Sequence, residues 1–219
     1  MCGRFTLTTP GEVLAEAFGL DETPSLAPRY NIAPTQPVAA VRREADGRRR
    51  LVLLGWGLVP PIPRETGRPL INARAETAAS LPSFRDAFRD RRCLVPADGF
   101  YEWKAVGPRK QPFHVRLTGG RPFAFAGVWE PRARGPEENT AGSCALLTTE
   151  PNALMRDIHD RMPVILPPEV YARWLDPALR PEDLAPLLRP YPAGAMDARA
   201  VGAFVNNARN EGPECLAAV

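Results

Sequence analysis

The sequence predicts an α+β fold: a single domain over residues 1–219, built on a curved, mainly antiparallel β-sheet or open barrel with short helices at its periphery. Three observations predict it. Strand-like apolar runs follow one another from about residue 93 to residue 149, with turn residues between them. The helical stretches are short, and several begin at proline. The 17 glycines and 26 prolines make up about a fifth of the 219 residues, below the low-complexity range but enough for many turns. No internal repeat and no clean linker divides the chain.

The first element is a helix in "TPGEVLAEAFGL". Thr9 can cap it, Pro10 suits the first turn, Glu12 completes a capping box, and Gly19 stops it. Val13, Leu14, Ala17 and Phe18 form its apolar stripe. Residues 38–57 read as a β-hairpin around Asp46 and Gly47. "PPIPRETGRP" is a loop and "SLPSFRDAFRD" a short helix. The strand series is "CLVP", "GFYEWKA", "QPFHVRLT", "PFAFAGVWE" and "CALLTT", broken at Gly107 and Pro108, at Gly119 and Gly120, and at 133–142. "NALMRDI" is a short helix, "MPVIL" a strand, and "PPEVYARWL" and "PEDLAPLL" are helices.

Hydrophobic residues are 44% of the chain, as in a soluble globular protein. No apolar run reaches membrane-spanning length and no signal-peptide core opens the chain, so a cytoplasmic location is expected. The net charge of +3 permits nucleic-acid binding without demanding it. Lys104 and Lys110 are the only lysines. The arginine excess suits phosphate, which a guanidinium grips with two parallel hydrogen bonds, but a GC-rich genome produces the same bias. Cys2, Cys93, Cys144 and Cys215 form no CxxC pair and His114 and His159 are the only histidines, so no metal, cofactor or disulfide is expected. Cys93 and Cys144 sit in apolar strands and read as small core residues.

Cys2 is different because of where it stands. Once Met1 is removed, Cys2 carries an α-amine of reference pKa ~7.7–8.0 beside a thiol of ~8.5. An aldehyde condenses with the amine, and the neighbouring sulfur closes a five-membered thiazolidine. A tolerated small residue at a frayed terminus is the alternative. "INARAET" brings Asn72, Arg74 and Glu76 together: an amide that can position a reacting oxygen and a guanidinium that can grip phosphate, or an ordinary strand-to-helix junction with a surface ion pair. In "GFYEWKA", Phe100 and Glu102 share one strand face, and a carboxylate on an apolar face suits proton transfer; an edge position facing water is the other reading. His159 stands among Asp157, Asp160 and Arg161, as a proton shuttle or as an exposed loop residue. His114 alternates with strand residues and reads as a strand histidine. "RREADGRRR" spans the hairpin turn and reads as a solvated loop, and "VNNARNEGPE" as a polar loop.

Taken in order, "MCGRF", "RYNIAP", "GWG", "INARAET", "PADGFYEWK", "IHDRMP" and "NNARNEG" run from the first residue nearly to the last. This series closely resembles the SRAP family, the SOS response-associated-peptidase-like proteins that shield abasic sites in single-stranded DNA. The resemblance implies one SRAP domain and a nucleophile at Cys2 that forms a thiazolidine DNA–protein crosslink, with associated lyase and self-processing chemistry. It implies active-site roles for Asn72, Glu102 and His159. It also implies DNA contacts from Arg4, Arg74 and Arg161, from the loop of Asn31 and Pro34, and from Trp56 of "GWG". The partner it implies is single-stranded DNA containing abasic sites, bound by a monomer. Two departures stand out. Ile62 and Pro63 occupy the loop after "GWG" where some relatives carry tryptophan, and Met162 stands where an arginine can provide a phosphate contact. A thiol peptidase, or a non-covalent single-stranded DNA-binding module, are the alternatives from other functional classes.

Overall fold

The computed structural model describes residues 2–60, 69–131 and 140–219. Thirteen strands are described: β1 (Phe5–Leu7), β2 (Arg29–Ile32), β3 (Pro37–Arg43), β4 (Arg49–Trp56), β5 (Asn72–Arg74), β6 (Arg92–Ala97), β7 (Gly99–Val106), β8 (Arg109–Leu117), β9 (Phe123–Pro131), β10 (Gly142–Thr149), β11 (Met162–Pro163), β12 (Ile165–Leu166) and β13 (Met196–Ala200). The α-helices are α1 (Gly11–Phe18), α2 (Ala75–Ala78), α3 (Arg85–Asp90), α4 (Ala153–Arg156), α5 (Tyr171–Trp174) and α6 (Pro181–Leu184). All are short, and short 3₁₀ turns flank several of them, so the fold is α+β with mostly antiparallel sheets.

One sheet runs β13-β8-β7-β1-β2. The other closes on itself, because β10 pairs both with β4 and with β9 around the path β10-β4-β3-β6-β9. The expected open barrel is therefore a closed ring of pairings. Closure removes the exposed edges that an open sheet leaves. Its one unexpected feature is parallel pairing of β10 with β4 and with β5. The two sheets meet through aromatic rings. Phe5 of β1 packs edge-on against Trp56 at 5.2 Å and Phe125 at 5.6 Å, and Phe100 of β7 meets the same Phe125.

Local signals account for several elements. Gly47 takes φ 83 in the turn between β3 and β4, the left-handed conformation that a tight hairpin favours in glycine. Gly19 caps α1 in the left-handed region, as expected. The expected cap at Thr9 does not form. Both its N–H and its hydroxyl donate to Asp98, an ionised and stronger acceptor. Leu14 and Phe18 bury the face of α1, whereas Val13 is turned outward. "MPVIL" is not one strand. β11 pairs with β10, β12 pairs with β9, and Val164 between them donates to Leu147 and accepts from Ala126. The segment enters where β9 and β10 splay apart. The turn expected at 133–142 falls largely outside the described residues.

Arg92 of β6 is buried with its guanidinium donating to the carbonyls of Phe88, Arg89, Trp174 and Asp176. These carbonyls lie at or just past the C-terminal ends of α3 and α5, where the backbone presents unsatisfied acceptors and partial negative charge. One cation thus fastens two helix ends to the barrel.

His114 of β8 lies buried beside Thr6 and Tyr101. Gly99 makes the room: a Cβ there would lie 2.1 Å from His114 Nε2. Burial, then Arg199, pushes the imidazole down from 6.5 to about 4, and Asp98 opposes the shift. The unfolded chain takes up this proton near pH 6.5, and the native chain only near pH 4. Stability is therefore full above the unfolded value and falls as the pH drops through this window, by roughly 3 kcal/mol for this group. Urea unfolding at about pH 7 and about pH 4.5 checks it, because His114→Gln should remove most of this loss. An undiminished loss in the variant would assign the effect to carboxylates instead.

Candidate functional site

The chain start is held inside the structure. β1 lies between β2 and β7, and Tyr101 N–H donates to the Arg4 carbonyl just before β1 begins. Cys2 is completely buried. Its carbonyl accepts a 2.8 Å hydrogen bond from Asn72 Nδ2. Asn72 opens β5, which the parallel pairing with β10 sets in register opposite Leu146. The other amide atom, Asn72 Oδ1, is buried and makes no hydrogen bond with any described residue. An acceptor in that condition suits a ligand donor.

Glu102 lies on β7 opposite Phe113 and is 3% exposed. Burial, and then the Glu102 charge, hold the Cys2 thiol well above its ordinary range, so the sulfur carries its proton at neutral pH. His159 follows α4 and donates its backbone N–H to Met155. Its Nε2 stands 4.0 Å from Glu102 Oε1, and its Nδ1 lies 2.7 Å from Asp160 Oδ1. The Arg161 N–H also approaches Nδ1, at 3.1 Å. One tautomer cannot serve both neighbours. The hydrogen bond made there is the one from the Arg161 N–H, so Nδ1 is the accepting nitrogen and Nε2 is the one that faces Glu102. Glu102 thus acts electrostatically on the buried Cys2 thiol, and His159 stands near both Glu102 and the well-exposed Asp160. Cys2, Asn72, Glu102 and His159, from four separate chain segments, are thus brought together.

The arginines differ in how free they are. Arg74 is exposed at the end of β5. Arg161 makes a bidentate pair with Glu76 at 2.7 and 2.8 Å and donates to the Thr148 carbonyl. Glu76 therefore bonds an arginine 85 residues away, a contact that local reading of "INARAET" does not contain. Arg4 donates through Nη1 to Asn31 Oδ1 at 2.7 Å and to the Val205 carbonyl at 2.9 Å, and lies over the Trp103 ring at 5.6 Å.

Two residues expected to contact DNA have side chains turned into the protein. Trp56 is completely buried, packed edge-on against Phe5 with its indole N–H donating to the Ile71 carbonyl, so it has no face for a base. The Asn31 side chain is buried and committed: its amide donates to the carbonyls of Val205, Asn207 and Asn210 and accepts from Arg4. Pro34 is half-buried beside exposed Thr35, the only described non-glycine residue with positive φ, at 72. Met162 is also buried, its sulfur accepting from the Asn152 N–H, so this position faces the core and not a phosphate. Ile62 and Pro63 lie outside the described residues. The loop read as merely polar, "VNNARNEGPE", turns out to supply the carbonyls that hold Arg4 and Asn31. Its only sequence signal is a run of asparagines, which mark turns but name no partner.

A family model described as SOS response associated peptidase (SRAP) matches residues 1–208. The abasic site processing protein YoqW of Bacillus subtilis (strain 168) is 43% identical over 223 residues, covering 99% of this chain and 99% of that protein. The abasic site processing protein YedK of Escherichia coli (strain K12) is 32% identical over 225 residues, with 99% of each covered. A crystal structure of a protein from Bacteroides thetaiotaomicron shares the fold at a TM-score of 0.85, covering 100% of each chain at 24% identity. The family match and the whole-length relatives agree with the order of motifs, and the chain belongs to the SRAP family.

Proposed function

We propose that this protein processes abasic sites in single-stranded DNA by crosslinking to them through Cys2 after Met1 is removed. The observation that carries the reading is the setting of Cys2: fully buried, its carbonyl held by Asn72, its thiol beside Glu102. The names of the relatives, abasic site processing proteins, support the substrate.

The steps follow from the residues. The Cys2 α-amine adds to the aldehyde carbon of the ring-opened sugar, and loss of one water gives an imine. The sulfur then bonds to the imine carbon, its proton passes to Glu102, and the ring nitrogen takes up a proton as the thiazolidine closes. The protonated thiol suits this order, since the sulfur is needed only after the imine has formed. Asn72 Oδ1 accepts a hydrogen bond from the sugar hydroxyl, and His159 exchanges the Glu102 proton with water. Lyase chemistry is the branch in which the imine instead loses its C2′ proton to a base and the 3′ phosphate leaves, forming a C2′–C3′ double bond. Arg74 and the outer face of Arg161 contact phosphates without reading sequence. The protein acts as a monomer in the cytoplasm, and no described helix is long and apolar enough to cross a membrane. A thiol-peptidase reading is weaker on physical grounds, because such a nucleophile needs a depressed pKa, whereas burial and Glu102 raise this one.

Intact mass spectrometry of the Met1-cleaved protein with an abasic single strand should give the sum of the two masses less one water. Cys2→Ala should leave only a borohydride-trappable imine, and a stable adduct in that variant would sink the proposal. Glu102→Gln should slow adduct formation about 100-fold with DNA affinity unchanged within about twofold. Arg74→Ala and Arg161→Ala should each flatten the dependence of log affinity on log salt by about 0.7. Only Arg161→Ala should also lower the melting midpoint, because Glu76 and the Thr148 carbonyl lose their donor. A salt slope unchanged in both variants would remove these residues from the DNA interface.

A further inference from the structure

We propose that Phe204 is a stacking platform for an unpaired nucleobase beside the lesion, an inference that rests on the abasic-site reading above. Phe204 is 44% exposed and is the one aromatic ring among the exposed large hydrophobic side chains of the described residues. A single exposed phenylalanine is ordinary on a protein surface. This one is set apart by what holds it. It lies on the short 3₁₀ turn Ala203–Asn206, and the turn and the residue after it are tied at four successive positions, 204 to 207. The Phe204 carbonyl accepts from Asn210 Nδ2 at 2.7 Å, and the Val205 carbonyl accepts from Arg4 at 2.9 Å. Asn206 Oδ1 accepts from the Trp103 indole at 2.7 Å, and the Asn207 carbonyl accepts from Asn31 at 3.0 Å.

Three of those four donors lie close to the chain start: Arg4 is two residues from Cys2, and Asn31 and Trp103 belong to β2 and β7, the strands on either side of β1. The turn that carries the ring is thus tied to residues around the chain start, and the ring is presented to water. Val205 beneath it is buried and anchors the turn in a small second core with Tyr101, Val201 and Cys215. A flat apolar face held rigid loses little conformational freedom when a base stacks on it. Stacking asks only for a π-face, so it is indifferent to sequence, as a lesion sensor requires. The other aromatic rings near the site are less open. Trp56 is buried, and Trp103 is half-buried with Arg4 above its face. Exposed Arg209, farther along the same loop and with no carboxylate within ion-pair distance among the described residues, adds a cation for the backbone of the stacked nucleotide.

The test uses the Met1-cleaved full chain with single strands carrying 2-aminopurine next to the abasic site, and matched intact strands. Wild type should quench the probe. Phe204→Ala should abolish the quench and raise the half-saturating DNA concentration about tenfold, with the adduct-forming rate at saturation within about twofold of wild type. Phe204→Trp should restore quench and affinity, whereas Phe204→Leu, which keeps apolar area without a π-face, should not restore the quench. Melting midpoints close to wild type verify that the variants fold. Unchanged affinity and quench in Phe204→Ala would overturn the proposal and leave Phe204 as a surface for another class of partner. Binding and quenching on the intact strand decide the stacking role separately, so failure of wild type to form any adduct would defeat the crosslinking reading alone.

Discussion

The hydrogen bond from Asn72 to the Cys2 carbonyl is the constraint on which the site depends. The first residues of a chain ordinarily fray, because few contacts offset the entropy of ordering them. Here the start of the chain enters a sheet between β2 and β7, and its first backbone carbonyl beyond Met1 is held from β5. That bond joins the two sheets at one point, since β5 hangs from β10 of the closed ring while β1 belongs to the other sheet. The parallel β5–β10 pairing sets the register of Asn72, and a one-residue slip would turn its amide to the other face. The aromatic contacts of Phe5 with Trp56 and Phe125 hold the same junction from within. The placement of Cys2 is thus set by the barrel.

Electrostatics divides the arginines by what they already bind. Arg92 is satisfied by four carbonyls and acts as a fastener. Arg161 is shared between Glu76 and a strand carbonyl, so any phosphate must compete with a carboxylate already seated. Arg4 braces the C-terminal loop against β2. Arg74 remains the exposed one of the three arginines expected to contact DNA. Several guanidinium groups of this mildly positive chain are thus committed to holding segments together. At the buried thiol, burial and then the Glu102 charge both favour the protonated sulfur.

Much of the fold was legible because its signals are local. The β3–β4 hairpin follows from Asp46 and Gly47, and the run β6 to β10 from alternating apolar residues between turns. Three short strands gave no such signal. β1, β2 and β13 are three to five residues long, and their pairing depends on partners far along the chain. "MPVIL" shows the limit well: its composition says strand, but only the splaying of β9 from β10 determines that it divides between two partners. Thr9 shows another. It has the chemistry of a cap, and a carboxylate 89 residues away took its donors.

By itself the sequence determined the family, through motifs in fixed order, and the chemical type of each site residue: an amine–thiol pair in waiting at Cys2, an amide at Asn72, a carboxylate at Glu102, an imidazole at His159. Residue type is intrinsic, so one chain suffices to read it. Which of the marked residues face the site was decided only in three dimensions. Asn31 and Trp56 sit in motifs as prominent as the others, yet both side chains are committed inside the protein. Phe204 sits in a loop with no motif of its own beyond asparagines, yet its ring stands exposed. The reason is physical: direction and burial are set by strand pairing and by the competition of distant donors and acceptors, and neither is encoded within a few residues of the side chain it orients.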